Sequence, residues 1–156
     1  MDVIAEAARQ WRERWGAEHV PAMRAVTTVM RAQQLLMARL NDVLRPHGLT
    51  FPRYEALMLL SYTKRGELPL GKVGDRLQVH RTSAKAIVEA LEAEGLVERQ
   101  PHPTDGRTTL VAITGVGRRV AREATEALHA VRFETAPLDD GELATLSDLL
   151  ARLEQV

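Results

Sequence analysis

The sequence predicts a mainly α-helical fold with one small β-hairpin, and three observations carry that reading. Apolar residues recur at three- and four-residue steps over most of the chain, as in helices that bury one face. Two short runs, Leu96–Gln100 and Thr108–Ile113, are instead rich in Leu, Val, Thr and Ile. The loop between them holds Asp105-Gly106, a strong hairpin signal.

The elements follow in order. Ile4, Ala7, Ala8, Trp11 and Trp15 mark an amphipathic helix over Val3–Trp15, and Gly16–Pro21 reads as a linker. A long helix, Ala22–Leu44, carries Val26, Val29, Met30, Leu36, Met37, Leu40 and Leu44 on its apolar side, and Pro46 and Gly48 stop it. Thr50 is the expected cap of a helix over Pro52–Tyr62, with Glu55 near the position of a capping partner. The turn Lys64-Arg65-Gly66 ends that helix. Leu70–Leu77 is a short helix and Val79–Glu94 a second one after a tight break, with Gly95 as its C-terminal glycine. After the hairpin, Thr114 caps a helix expected to run to about Phe133. Pro137 breaks the chain, and Asp139-Asp140 opens a last helix to Leu153, where carboxylates suit the helix dipole.

Composition excludes several functions. There is no cysteine, so thiol catalysis, disulfides and cysteine redox sensing are out. No glycine-rich phosphate loop and no serine in a nucleophile-elbow setting is present, and an enzyme is not expected. The five histidines, at 19, 47, 80, 102 and 129, show no ligand spacing. No metal and no cofactor are expected. No apolar run reaches the roughly 18 residues of a membrane span, and the first residues lack a secretory pattern, so a cytoplasmic location is expected.

Net charge is zero, yet the charges are unevenly placed. Residues 64–122 hold 11 Lys/Arg against 7 Asp/Glu, and the remainder is acidic by the same margin. That segment contains helix, tight turn, helix and hairpin in the order of a winged helix-turn-helix. On the second helix (about 80–94) Ala84, Ile87, Val88 and Leu91 share the face that must pack inward. Its first turn then offers His80, Arg81, Thr82, Ser83 and Lys85 outward, donors and small side chains that suit phosphates and base edges in a major groove. The hairpin (about 96–113) is tipped by Arg107 and flanked by His102 and Thr104, a shape that reaches a minor groove. Its Gly106 is expected to supply a positive φ, with Asp105 supporting the Arg107 guanidinium. A solvated, internally paired charged face explains either element alone but not the two together.

The run Leu91-Glu92-Ala93-Glu94-Gly95-Leu96-Val97-Glu98-Arg99, then Asp105-Gly106-Arg107 and Ile113-Thr114-Gly115-Val116-Gly117, resembles the MarR family of bacterial transcription regulators. In helix order the resemblance covers about residues 22–155. It implies one domain over 1–156, with a winged lobe at about 50–115 and dimerisation helices at about 1–49 and 116–156. It also implies double-stranded DNA as partner, a homodimer on a pseudo-palindromic operator, and repression. His80 to Lys85 correspond to the start of the recognition helix, Arg107 to the wing arginine, and Asp105 to the acid that orients it. Ala86 and Gly106 depart from common members, which bears on base preference. A protein-interaction module is the rival reading, and it leaves the basic turn and the wing unexplained.

The terminal helices admit two readings each. The stripe Leu143, Leu146, Leu149, Leu150 and Leu153 is buried either in its own subunit or against a second copy. Trp11 and Trp15 are either anchors for the long helix or part of a site for a small aromatic acid effector, as in a subgroup of the family with an extra N-terminal helix. A regulator that needs no ligand is the alternative to the latter.

Overall fold

The computed structural model describes residues 2–155 and divides into two compact units, residues 1–39 and 40–156. The first holds α1 (Val3–Trp15) and most of α2 (Val20–Leu44). Asp2 caps α1, its Oδ1 accepting from the N–H groups of Ile4 and Ala5 at 3.0 and 3.1 Å, and Gly16 ends it at a φ of +87°. Ala8 and Val20 are the buried side chains of this unit. α2 starts two residues before the expected Ala22 and takes Pro21 into its first turn. Proline is at home there, because first-turn N–H groups have no intrahelical partner to lose.

The second unit contains the core. α3 (Phe51–Ser61) buries Tyr54, Ala56, Leu57 and Leu60. The expected Thr50 cap is not made, since its side chain bonds no helix N–H. Asn41 Oδ1, brought from the end of α2, accepts from Phe51 N–H at 2.8 Å instead, and Glu55 lies too far along to complete a capping box. β1 (Glu67–Pro69) was not expected. It pairs antiparallel with β3 (Thr109–Ile113), which also pairs with β2 (Val97–Pro101), giving the order β1-β3-β2. α4 (Leu70–Leu77) ends at Gln78, whose φ of +53° turns the chain into α5 (Arg81–Ala93). Val79 and His80 therefore belong to the turn and not to the helix. Where α4 and α5 approach, a Cβ on Gly74 would lie 3.2 Å from that of Ala84, so the crossing requires small residues.

The motif glycines have distinct tasks. Gly95, at a φ of +69°, lets Leu96 N–H return to the Leu91 carbonyl at 2.9 Å, closing α5 and launching β2. Gly117 lies in the first turn of α6 (Gly115–Ala130), where a Cβ would stand 2.1 Å from the Leu96 carbonyl oxygen. Thr114 joins these two places: its hydroxyl donates to the Gly95 carbonyl at 2.8 Å and accepts from Gly117 N–H at 2.9 Å. The Thr-x-x-Gly spacing thus fixes the exit of the hairpin against its entrance.

α6 buries Ala121, Ala124 and Leu128 in the second unit, and the Tyr54 hydroxyl meets Thr125 Oγ1 at 2.9 Å. It stops at Ala130, short of the expected Phe133, because Arg132, Phe133 and Glu134 all take positive φ. α7 (Asp140–Ala151) opens on a full capping box between Asp139 and Glu142. No side chain of α7 is buried.

Candidate nucleic-acid interface

α5 turns its first residues outward because its apolar side is committed to the core. Ala84, Val88 and Leu91 are buried and Ile87 is half-buried, which leaves Arg81, Thr82, Ser83, Lys85 and Ala86 exposed. His80, just before the helix, is also exposed and provides no side-chain cap. The first hydrogen bond of the helix runs from Ala84 N–H to the His80 carbonyl at 3.0 Å. The N–H groups of Arg81, Thr82 and Ser83 have no acceptor among the described residues, so the helix presents free donors to an incoming anion.

The hairpin loop is long, as the spacing of the two strands implies, but it does not use Gly106 as expected. It spans residues 102–108 and is closed by His102 N–H to the Thr108 carbonyl at 3.1 Å and Thr108 N–H to the Asp105 carbonyl at 3.0 Å. Gly106 does not take a positive φ; the glycines that do are Gly16, Gly48, Gly66 and Gly95. A longer loop closed by side chains needs no left-handed residue at that point. Asp105 supplies much of the closure, with Oδ1 accepting from Arg107 N–H at 3.0 Å and Oδ2 from the Thr108 hydroxyl at 2.8 Å. The Thr108 hydroxyl, followed by the Arg107 N–H, holds the Asp105 carboxyl below the usual range. The acid therefore supports the Arg107 backbone, not its guanidinium, and the guanidinium has no salt-bridge partner among the described residues.

α4, α5 and the loop together enclose a concave groove of about 570 Å³. Arg81 and Lys85 line it from α5, His102 and Arg107 from the hairpin, and Lys72 from α4. Asp75 is the single carboxylate of its lining and lies 3.6 Å from Lys72. Lys72 was not among the residues singled out in the sequence. It is an ordinary lysine on a short helix until the fold sets it across from Arg107. Thr104 faces a second groove, on the other side of the hairpin, together with Lys64 and Arg65.

A brace holds the hairpin to α5. Arg99 of β2 donates to Glu92 at 2.7 and 2.8 Å and lies 3.8 Å from Glu89, which in turn lies 3.7 Å from Lys85. Arg99 draws the Glu92 carboxyl below its ordinary range, and Glu92 raises the guanidinium in return. These acids are engaged with β2 and leave the groove itself basic.

Trp11 and Trp15 sit on α1, the first partly and the second largely exposed, at 39% and 71%. A cavity of about 430 Å³ within the first unit is lined by Arg12 and Arg24, among others, and not by either tryptophan. Among the described residues no group of His, Asp or Glu has the arrangement of a metal site, and no helix is long and apolar enough to cross a membrane.

Comparison with known proteins gives the family. The MarR family model matches residues 47–108, from just before α3 through the hairpin loop. The crystal structure of Sco5413, a MarR family transcriptional regulator from Streptomyces coelicolor, superposes with a TM-score of 0.82 at 45% identity, covering 86% of this chain and 94% of that one. The chain belongs to the MarR family. A second structure of this fold, the Mycobacterium tuberculosis transcriptional regulator MosR in complex with DNA, has a TM-score of 0.73 at 25% identity over 84% of this chain and 93% of that one. The HTH-type transcriptional regulator MhqR of Bacillus subtilis is 29% identical over 62% of this chain, a match that spans 65% of MhqR. As a MarR-family protein the chain is a DNA-binding transcriptional regulator, with a winged helix-turn-helix made of α4, α5 and the β2–β3 wing.

Proposed function

We propose that this MarR-family regulator binds a pseudo-palindromic operator in the cytoplasm as a homodimer, one half-site per protomer, and represses by occupying it. The carrying observation is the groove: free N–H groups at the start of α5, four cationic side chains and one carboxylate, between a helix end and a wing. In this reading the single chain works as a DNA-reading lobe at about 50–115 with flanking assembly segments at about 1–49 and 116–156. Thr82 and Ser83 lie against base edges, while Arg81, Lys85 and Lys72 hold phosphates. Arg107 enters the adjacent minor groove, with His80, His102, Thr104 and Asp105 at its margins.

Apolar surface supports the dimer. α7 leaves Leu146 and Leu149 exposed, and α2 leaves Val26, Met30 and Leu35 exposed. A second copy covering each of these stripes removes apolar area from water at roughly 25 cal/mol per Å², and a two-fold dimer matches a two-fold operator.

The sequence roles differ in what their loss does. Lys85→Ala weakens binding alike on specific and unrelated DNA and lowers the slope of log affinity against log salt by about one unit. Thr82→Ala instead narrows the preference for the operator over single-base variants by about tenfold at the affected pair. Fluorescence anisotropy on a set of operator variants at two salt concentrations separates the two.

The proposal includes release by a small aromatic acid sensed near Trp11 and Trp15. Such a ligand shifts DNA binding only by its differential affinity for the free and bound forms. Retardation of the DNA flanking the protein's own gene, titrated with salicylate and urate, tests both parts. Retardation that fades in step with tryptophan quenching supports the whole reading. Retardation unaffected by a panel of aromatic acids leaves a ligand-independent regulator, and no retardation removes the operator reading.

A further inference from the structure

His102 is placed in the groove, but its ring is occupied by the chain itself. Asp105 N–H approaches Nδ1 at 3.1 Å and Thr104 N–H at 3.3 Å, with the Thr104 hydroxyl at 3.4 Å. Backbone N–H groups can only donate, so these bonds require a lone pair on Nδ1, as in the imidazole tautomer that carries its proton on Nε2. The bonds form a relay. His102 fixes the Asp105 backbone, and the Asp105 carboxylate fixes the Arg107 N–H and the Thr108 hydroxyl. Arg107 is two residues from the acid and has no other side-chain support among the described residues.

We infer that His102 is a positioning residue that shapes the wing only while its imidazole is neutral, so that acidification loosens the wing and weakens operator binding. Protonation at Nδ1 turns the acceptor into a donor facing two N–H groups, and the relay to Arg107 loses its first bond. Arg107 and Asp105 flank the ring within its own loop. Across the groove stand Lys72 and Asp75 of α4 with Arg81 and Lys85 of α5; behind the wing are Lys64, Arg65 and Glu67. Imidazole is the side chain whose ordinary titration falls between pH 5 and 8. Asp105, held below the usual carboxylate range by the Thr108 hydroxyl and Arg107 N–H, stays ionised there.

The sign of the effect separates this role from a direct contact. A histidine that held a phosphate would bind DNA more tightly when charged. A histidine that must accept from the loop makes binding weaker when charged. Asparagine supplies a carbonyl acceptor that does not titrate, whereas alanine supplies none. The inference rests on the reading that the wing touches DNA, so its test has one arm without DNA.

In the free protein, amide spectra of the full chain over about pH 7.5 to 5.5 should show the Asp105, Thr104 and Arg107 N–H signals moving together with the His102 ring. In H102N they should hold still. Operator affinity of the parent should fall about fivefold to tenfold relative to H102N over the same range, the loss expected of one acceptor. H102A should be weaker than H102N at the upper pH. Amides that ignore the ring, or a parent that gains affinity relative to H102N on acidification, would overturn the inference. Coupled amides in a protein whose R107A variant binds like the parent would instead leave His102 shaping the loop and remove the wing from the DNA.

Discussion

Removing residues 138–156 should leave a monomer whose operator affinity is lower by about a hundredfold to ten-thousandfold, the range lost when two linked half-site events become one. The expectation follows from where α7 spends its leucines. None of its side chains is buried in its own chain; Leu146 and Leu149 are exposed at 44 and 53%, and Leu153, just beyond its end, at 64%. The core of the second unit, made by Leu57, Leu60, Val73, Val88, Leu91, Val111 and Leu128, does not include that helix. The shortened chain should therefore keep its helical signal while losing the dimer mass in sedimentation. A shortened chain that stays dimeric, or that binds a palindromic site as tightly as a monomer, contradicts the assignment of α7 to assembly.

Arg107→Ala should cost about 1–3 kcal/mol of operator binding for each wing that touches DNA, and a dimer carries two. Folding and dimerisation should not change, because the Arg107 side chain is exposed and its structural bond is made by its backbone N–H. Arg107→Lys should recover only part of the loss. A guanidinium carries a planar fork of donors and gives up less hydration than an ammonium on entering a groove. The comparison belongs at two salt concentrations, with A·T and G·C flanks. Loss of the A·T preference marks a minor-groove contact, while a change in salt slope alone marks a phosphate contact. Parent-like affinity for Arg107→Ala at both salts would remove the wing from the interface.

The fold was legible wherever one residue type answers one local demand. The apolar spacing of Ala84, Val88 and Leu91 fixed which side of α5 faces out, and Gly95 marked the positive-φ end of that helix. The features that escaped depend on partners distant in sequence. β1 is three residues long and ends in proline, so nothing in Glu67-Leu68-Pro69 announces a strand until β3 lies beside it. Asn41 replaces Thr50 at the start of α3 because the end of α2 returns there. Asp105-Gly106 suggests a turn with a positive φ at the glycine, but the carboxylate of Asp105 and the ring of His102 shape the loop without one. Of the groove's lining, Arg81, Lys85, His102 and Arg107 were legible from their chemistry, whereas His80, Thr82, Ser83, Thr104 and Asp105 are not part of it. Lys72 was not legible, since only the fold brings α4 to face Arg107.

Hydrogen exchange of the unaltered chain, with and without operator DNA, tests the central claim that this groove receives DNA. The amides of Arg81, Thr82 and Ser83 have no acceptor among the described residues, so they exchange freely until another molecule bonds or covers them. Operator DNA should slow exchange there, around Lys72 and through residues 102–108, and leave α1 unchanged. Protection confined to other surfaces, with the start of α5 and the wing exchanging as in the free protein, would contradict the account.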